Sequence, residues 1–199
     1  MFDNGDGSWG LVIGDVCGKG PLAASVMGLA RHTLRAAAMR ERRPSHILSM
    51  LSEAVRNQTG DGRFLTVCYV RLRPNGKAAR LTVCCGGHPL PALLRRDGTV
   101  ETVGVPGTLL GLFEDPTLTD RSVDLGPGDA LILYTDGITD VAPSAVIGAA
   151  GEPDLAELLA GAEGLDAAGI VEHARRELSR RIRGTLRDDM AILAVRVEP

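Results

Sequence analysis

Aromatic residues are scarce, with one Trp, two Tyr and three Phe making up 3% of 199 residues. A surface that stacks on single-stranded nucleic acid is therefore poorly supported, and the basic stretches Arg40 to Arg43 and Arg175 to Arg183 carry no interleaved aromatics. Neither charge sign is in marked excess. The chain has 22 Lys+Arg against 25 Asp+Glu, a formal net charge of −3, which favours neither nucleic acid nor an anionic membrane. No apolar run approaches the ~18 residues of a membrane span, and the start is acidic and turn-rich where a signal peptide would be basic and then apolar. These features predict a cytoplasmic domain without membrane contact. The four cysteines, Cys17, Cys68, Cys84 and Cys85, contain no CxxC pair, so neither a zinc ribbon nor a disulfide framework is suggested. A P-loop is absent as well, because position 13 is Ile where its first Gly belongs and position 20 is Gly where Ser or Thr belongs.

What is present reads as a single domain with a radius of gyration of roughly 16 Å. Asn4-Gly5 and Asp6-Gly7 are turn dipeptides, and the apolar run Trp9 to Gly14 that follows predicts the second arm of a hairpin. The first arm lies largely before Phe2, so the domain reads as truncated at its start. Pro21 opens a helix carrying Leu22, Val26, Leu29 and Leu34 at helical spacing, ended by Arg40 to Arg43. Ser45 is the expected cap of a second helix with Ile47, Leu48, Leu51 and Val55 on one face, ending at Gly60 and Gly62.

From Arg63 the period becomes two. Phe64, Thr66, Cys68, Val70 and Leu72 share one face, and Asn75-Gly76 turns the chain into Ala79 to Cys85. Short strands follow at Pro91 to Arg95, Thr99 to Val103, Leu118 to Leu125 and Ala130 to Tyr134. Helices are predicted at Asp154 to Ala160 and Ala167 to Ile182, and a last strand at Met190 to Val197. Grouped helices between antiparallel strands indicate an α+β layered sandwich.

Carboxylates sit where apolar strands end or begin: Asp15 after WGLVIG, Asp136 after ALILYT, and Asp188-Asp189 before MAILAV. An antiparallel last strand brings such groups to one sheet edge. Converging carboxylates repel unless cations lie between them, and an all-oxygen site suits hard ions such as Mg²⁺ or Mn²⁺. The plain alternative is that Asp favours turns at strand ends. Gly18 and Gly20 let the backbone approach a bound ion or phosphate, and Lys19 reads equally as a phosphate contact or an exposed turn lysine. His88 reads as a turn histidine near the site rather than a zinc ligand, since Cys84 and Cys85 are adjacent on a strand and point to opposite faces.

Five ordered motifs resemble the metal-dependent protein serine/threonine phosphatases, in the bacterial branch of the stage II sporulation protein E and the stress-response phosphatases. They are Gly14 to Gly20 (GDVCGKG), Gly86 to Pro89 (GGHP), Gly107 to Leu112 (GTLLGL), Pro127-Gly128-Asp129 with Leu133 to Gly137 (LYTDG), and Arg187 to Met190 (RDDM). The resemblance implies a four-layer α-β-β-α sandwich and a two-ion Mn²⁺ or Mg²⁺ site. Asp15 would bridge both ions, the Val16 carbonyl would bind one, and Asp136 and Asp188 would hold the other, with Asp189 beside them and Gly137 lining the site. The family's GGDxxD strand precedes the opening turn, and its absence here is expected to weaken the second ion. Asp3 and Asp6 are read as turn residues that cannot replace it, and Asp140 stands where the family more often has Glu.

The function so implied is hydrolysis of phosphoserine or phosphothreonine, on an anti-sigma-factor antagonist in a bacterial partner-switching pathway. A sensor module would lie upstream, and a homodimer is left open. The alternative is a catalytically silent phosphatase-fold module that binds a protein partner.

Overall fold

A computed structural model describes residues 1–58, 62–138, 155–181 and 189–198. The chain divides into two compact units, one of residues Met1–Leu90 with Val103–Asp124 and one of Pro91–Thr102 with Leu125–Pro199. Each is a sheet of antiparallel strands packed against helices, the sheet-and-helix pairing expected of the α+β sandwich.

In the first unit, β1 (Phe2–Asp3) and β2 (Trp9–Val16) form the opening hairpin, with Phe2 opposite Gly10 and Asp3 opposite Trp9. Asp3 thus lies on a strand, contrary to its expected place in the turn; Asp6 is in the turn. Two side-chain acceptors shape that turn: Asp3 Oδ1 takes the Gly5 N–H at 2.8 Å, and Asp6 Oδ1 takes the Ser8 N–H at 3.2 Å and hydroxyl at 2.6 Å. Helices α1 (Pro21–Ala38) and α2 (Pro44–Gln58) follow. Their apolar residues recur every three or four positions, so Val26, Ala30, Leu34, Leu48, Leu51 and Val55 enter one core with Leu65, Val67 and Tyr69. Truncating Leu48 or Leu51, both fully buried, would cost about 2–5 kcal/mol.

The expected cap of α2 needs correction. Ser45 lies inside the first turn, and the acceptor is the carboxylate of Asp120, which takes the Ser45 N–H at 2.7 Å and the Ser45 hydroxyl at 3.0 Å. The same engagement shortens the strand predicted from Leu118, because Asp120 is held at the helix and pairing begins one residue later. The Gly60 end of α2 lies outside the described residues.

Strands β3 (Leu65–Asn75) and β4 (Ala78–Gly86) are the hairpin that Asn75-Gly76 predicts, with Asn75 opposite Ala78. β3 is buried on both faces through its middle, Tyr69 and Val70 alike, and β4 from Val83 to Gly86, so alternation is muted there, while Ala79 to Val83 of β4 keep it. Next in the chain come β5 (Ala92–Leu94), β6 (Val100–Thr102) and β7 (Arg121–Leu125). The first sheet has the order β1-β2-β3-β4-β7.

In the second unit, β8 (Ala130–Tyr134), α3 (Leu155–Leu159), α4 (Ala167–Arg181) and β9 (Ile192–Arg196) complete a sheet of order β6-β5-β8-β9. Its core joins Leu94, Ile132 and Tyr134 to Leu158, Leu159, Ile170, Ala174 and Leu178. Asp154, where the first of these helices was predicted to start, and Ile182, where the second was predicted to end, lie outside the described residues. The Gly126–Asp129 turn is knotted by Asp129, whose carboxylate accepts from Gly126 N, Arg96 N and Arg95 Nη1 at 2.9–3.0 Å. No helix among the described residues is long and apolar enough to cross a membrane.

Candidate functional site

The first unit gathers three of the five motifs around the start of β3. Asp15, exposed on the penultimate position of β2, is opposite Thr66, and Val16 is opposite Leu65. Gly14 must be glycine for this pairing, since a Cβ there would lie 2.5 Å from the Thr66 carbonyl oxygen. Thr66 Oγ1 is 3.0 Å from Nδ1 of His88, which is 5% exposed, so the GGHP turn is tied to the residue facing Asp15. Gly87 bridges to Val67, and its N–H donates to the Gly107 carbonyl at 2.9 Å. Leu110 of GTLLGL exchanges two backbone hydrogen bonds with Leu65, at 2.9 and 3.0 Å. Three motifs far apart in sequence are thus fixed on Leu65–Val67.

Beyond Val16 the ladder continues through Cys17 N–H to the Phe64 carbonyl at 3.0 Å. This sets Arg63 against the glycine loop, where Gly18 has a φ of 96° and a Cβ added to it would lie 3.0 Å from Arg63 Nη1. Lys19 is exposed, and Gly20, with a φ of 89°, leads into α1. A cleft of about 520 Å³ opens along β2 and α1, with Asp15, Val16, Thr66, Arg31 and Arg35 in its lining.

The second unit brings Asp136 and Asp189 together. β8 and β9 are antiparallel with Tyr134 opposite Ile192, so the segment after β8 meets the segment before β9. Thr135 fastens the junction: its hydroxyl donates to the Asp189 carbonyl at 3.1 Å and accepts from Ala191 N–H at 2.9 Å. Gly137 packs so closely that a Cβ would sit 2.6 Å from the Asp189 carbonyl oxygen. Asp136 and Asp189 are both exposed. Asp188 and Asp140 lie outside the described residues.

Cys84 and Cys85 take opposite faces of β4 as strand geometry requires: Cys84 belongs to the core beneath the helices, and Cys85 is opposite Cys68 on β3. Burial pushes the Cys84 thiol up to about 12, and a hydrogen bond with Cys85 together with burial raises that of Cys68. Thiols so held stay protonated, which disfavours metal binding. Two members of the cluster around Asp15 and the glycine loop, Thr66 and Arg63, stand outside the five motifs. Thr66 is one residue of an alternating strand face, and no local signal marks Arg63, whose placement depends on a strand pairing some 45 residues apart.

The fold is that of the metal-dependent PP2C-type phosphatases. The family profile described as Stage II sporulation protein E (SpoIIE) matches residues 5–198, and the chain belongs to that family. The phosphoserine phosphatase RsbU of Bacillus subtilis (strain 168) is 27% identical over 131 residues, covering 65% of this chain and 38% of RsbU. Among solved structures, the RsbU and RsbW domains of Rv1364c from Mycobacterium tuberculosis align with a TM-score of 0.71 and 27% identity, over 97% of this chain and 53% of that one. The catalytic domain of the serine/threonine protein phosphatase PstP, solved in complex with two manganese ions, aligns with a TM-score of 0.60 and 17% identity, over 98% and 93%.

Proposed function

We propose that this chain is a metal-dependent phosphatase domain that hydrolyses phosphoserine or phosphothreonine on a protein. The observation that carries the reading is a set of exposed carboxylates at the ends of β2 and β8, in motifs whose order and spacing run through a SpoIIE match from residue 5 to 198. The donor set is all oxygen, which fits Mg²⁺ or Mn²⁺. By the family resemblance, the ligands are Asp15 and the Val16 carbonyl, with Asp136, Asp188 and Asp189. When bound, two such ions supply an acidified water and a clamp for phosphoryl oxygens. The chain's own part is to hold these groups rigidly: β3 fixes the backbone at Asp15, and Thr135 fixes the approach of Asp189 to Asp136. His88, through Thr66, and Gly18, Lys19, Gly20 and Gly137 line the two clusters.

By the family resemblance of the five motifs, the substrate is a phosphorylated anti-sigma-factor antagonist, with signals arriving from a sensor module elsewhere in a cytoplasmic protein. The test is Mn²⁺-dependent phosphate release from p-nitrophenyl phosphate and a phosphoserine protein, with Asp15→Asn and Asp136→Asn as controls. Turnover lost in both variants, with Mn²⁺ affinity lowered in calorimetry, is expected. Unchanged Mn²⁺ affinity in both refutes the ligand assignment; Mn²⁺ binding without turnover in the wild type leaves the silent binding module.

A further inference from the structure

Arg63 belongs to none of the five motifs, yet the fold delivers its guanidinium to the glycine loop that follows Asp15. Its backbone is fixed from two sides. Phe64 accepts from Cys17 N–H, and the Arg63 carbonyl oxygen lies 3.0 Å from where a Gly111 Cβ would be. From that anchored position the side chain reaches Gly18, with Nη1 3.0 Å from where a Cβ at residue 18 would lie. From Gly14 to Pro21 the charged residues are Asp15 and Lys19, so Arg63 and Lys19 place two cations at a loop that also carries a carboxylate.

A phosphate monoester is a dianion and is repelled by carboxylates. A guanidinium answers that repulsion: its planar fork donates two parallel hydrogen bonds to phosphoryl oxygens, and it stays charged at every working pH. We propose that Arg63 is the substrate-phosphate contact of this domain, gripping the phosphoryl group of a phosphoserine side chain over the Gly18–Gly20 loop. The proposal rests on the phosphatase reading above and adds to it the residue that recognises the phosphate.

The experiment compares wild type, Arg63→Ala and Arg63→Lys in Mn²⁺, with a phosphoserine peptide as substrate and inorganic phosphate as inhibitor. Losing charge-assisted hydrogen bonds is expected to raise the KM for the peptide and the Ki for phosphate by roughly 10- to 100-fold in Arg63→Ala. The melting temperature and Mn²⁺ affinity should stay at wild-type values, and Arg63→Lys should recover part of the loss because the charge remains. A KM and Ki within about twofold of wild type in Arg63→Ala overturn the proposal, as does a fall in kcat and Mn²⁺ affinity with KM unchanged, which would make Arg63 a prop for the loop. Should the wild type release no phosphate, the phosphatase reading fails while Arg63 is still decided by calorimetric titration of inorganic phosphate. Binding to wild type that weakens in Arg63→Ala supports the contact; equal binding, or none to wild type, overturns it.

Discussion

Asp6 is the most heavily engaged carboxylate in the opening hairpin, and removing it should destabilise the first unit more than its turn position suggests. Its Oδ1 accepts from the Ser8 N–H and hydroxyl, while Oδ2 accepts from Arg71 at 2.7 Å and Arg73 at 3.0 Å, with Arg42 at 3.6 Å. Arg71 is the critical partner. It is buried in β3, its Nη1 donates to the carbonyls of Glu41 and Arg42 at 3.1 and 3.4 Å, and its Nε has no hydrogen-bond partner. Taking one partner from a fully buried ion pair costs about 3–5 kcal/mol; Asp6 is 22% exposed, and water would screen part of that loss, leaving about 2–3 kcal/mol for Asp6→Ala. At this chain length that is a fall in Tm of about 5–10 °C. The Ser8 hydroxyl, against the opposing effect of burial, and then the Arg71 and Arg73 guanidiniums hold the Asp6 carboxyl far below its usual 3.8. A depressed native pKa gives stability that is complete above the unfolded value and lost as pH falls through 3.8 toward the native one. Asp6→Asn should therefore flatten the acid limb of the urea-denaturation stability curve below about pH 5, as well as lowering stability at pH 7. A loss under about 0.5 kcal/mol, or an acid limb identical to wild type, would refute the reasoning.

Thiol labelling should separate the cysteines. Cys17 is exposed and the other three are buried, so 5,5′-dithiobis(2-nitrobenzoate) should modify Cys17 rapidly in the native protein and the rest only on unfolding; a Cys17→Ser variant that still reacts fast would contradict this. Asp120→Ala should destabilise α2 by about 0.5–2 kcal/mol in urea titration, with Ser45→Ala costing less because its N–H keeps the Asp120 acceptor; the reverse order would return the cap to Ser45. Asp129→Asn should weaken the second unit by about 1.5–3 kcal/mol, since burial opposes the charge and yet the Gly126 N–H, the Arg95 guanidinium and the Arg96 N–H hold the carboxyl below the usual carboxylate range. That contribution is present above the unfolded pKa and disappears as pH falls through the native one. Equal pH dependence of wild type and variant between pH 5 and about 2 would argue against it.

What the sequence discloses follows the range over which each feature is determined. Trp9 to Gly14 is legible as a strand because consecutive apolar residues between turn dipeptides leave few alternatives, and Asn75-Gly76 announces its hairpin because Gly76, with a φ of 61°, opens the two-residue loop Gly76-Lys77 between the paired Asn75 and Ala78. Val26, Leu34, Leu48 and Leu51 declare the buried helix faces by spacing alone. Features that depend on remote partners are not legible in this way. Ser45 is a good cap by composition, yet a carboxylate 75 residues away occupies that role. Asp3 looks like a turn residue, yet pairing with Trp9 draws it into a strand.

The candidate site divides along the same line. The five motifs name Asp15, Asp136, Asp189, His88 and the glycines, because carboxylates at strand ends and glycines at close approaches are local chemistry. Which residues support them is a matter of register: β2 pairs Asp15 with Thr66, Thr66 meets His88 because β4 runs back along β3 with Cys85 opposite Cys68 and Gly87 bridging to Val67, and a shift of one position would turn Thr66 to the opposite face. Arg63 follows from the same register. With Val16 opposite Leu65 and Cys17 bonded to Phe64, the next residue back along β3's approach stands across from Gly18, where an added Cβ would lie 3.0 Å from the guanidinium. The pairing that presents Asp15 therefore also presents a cation at the glycine loop that follows it.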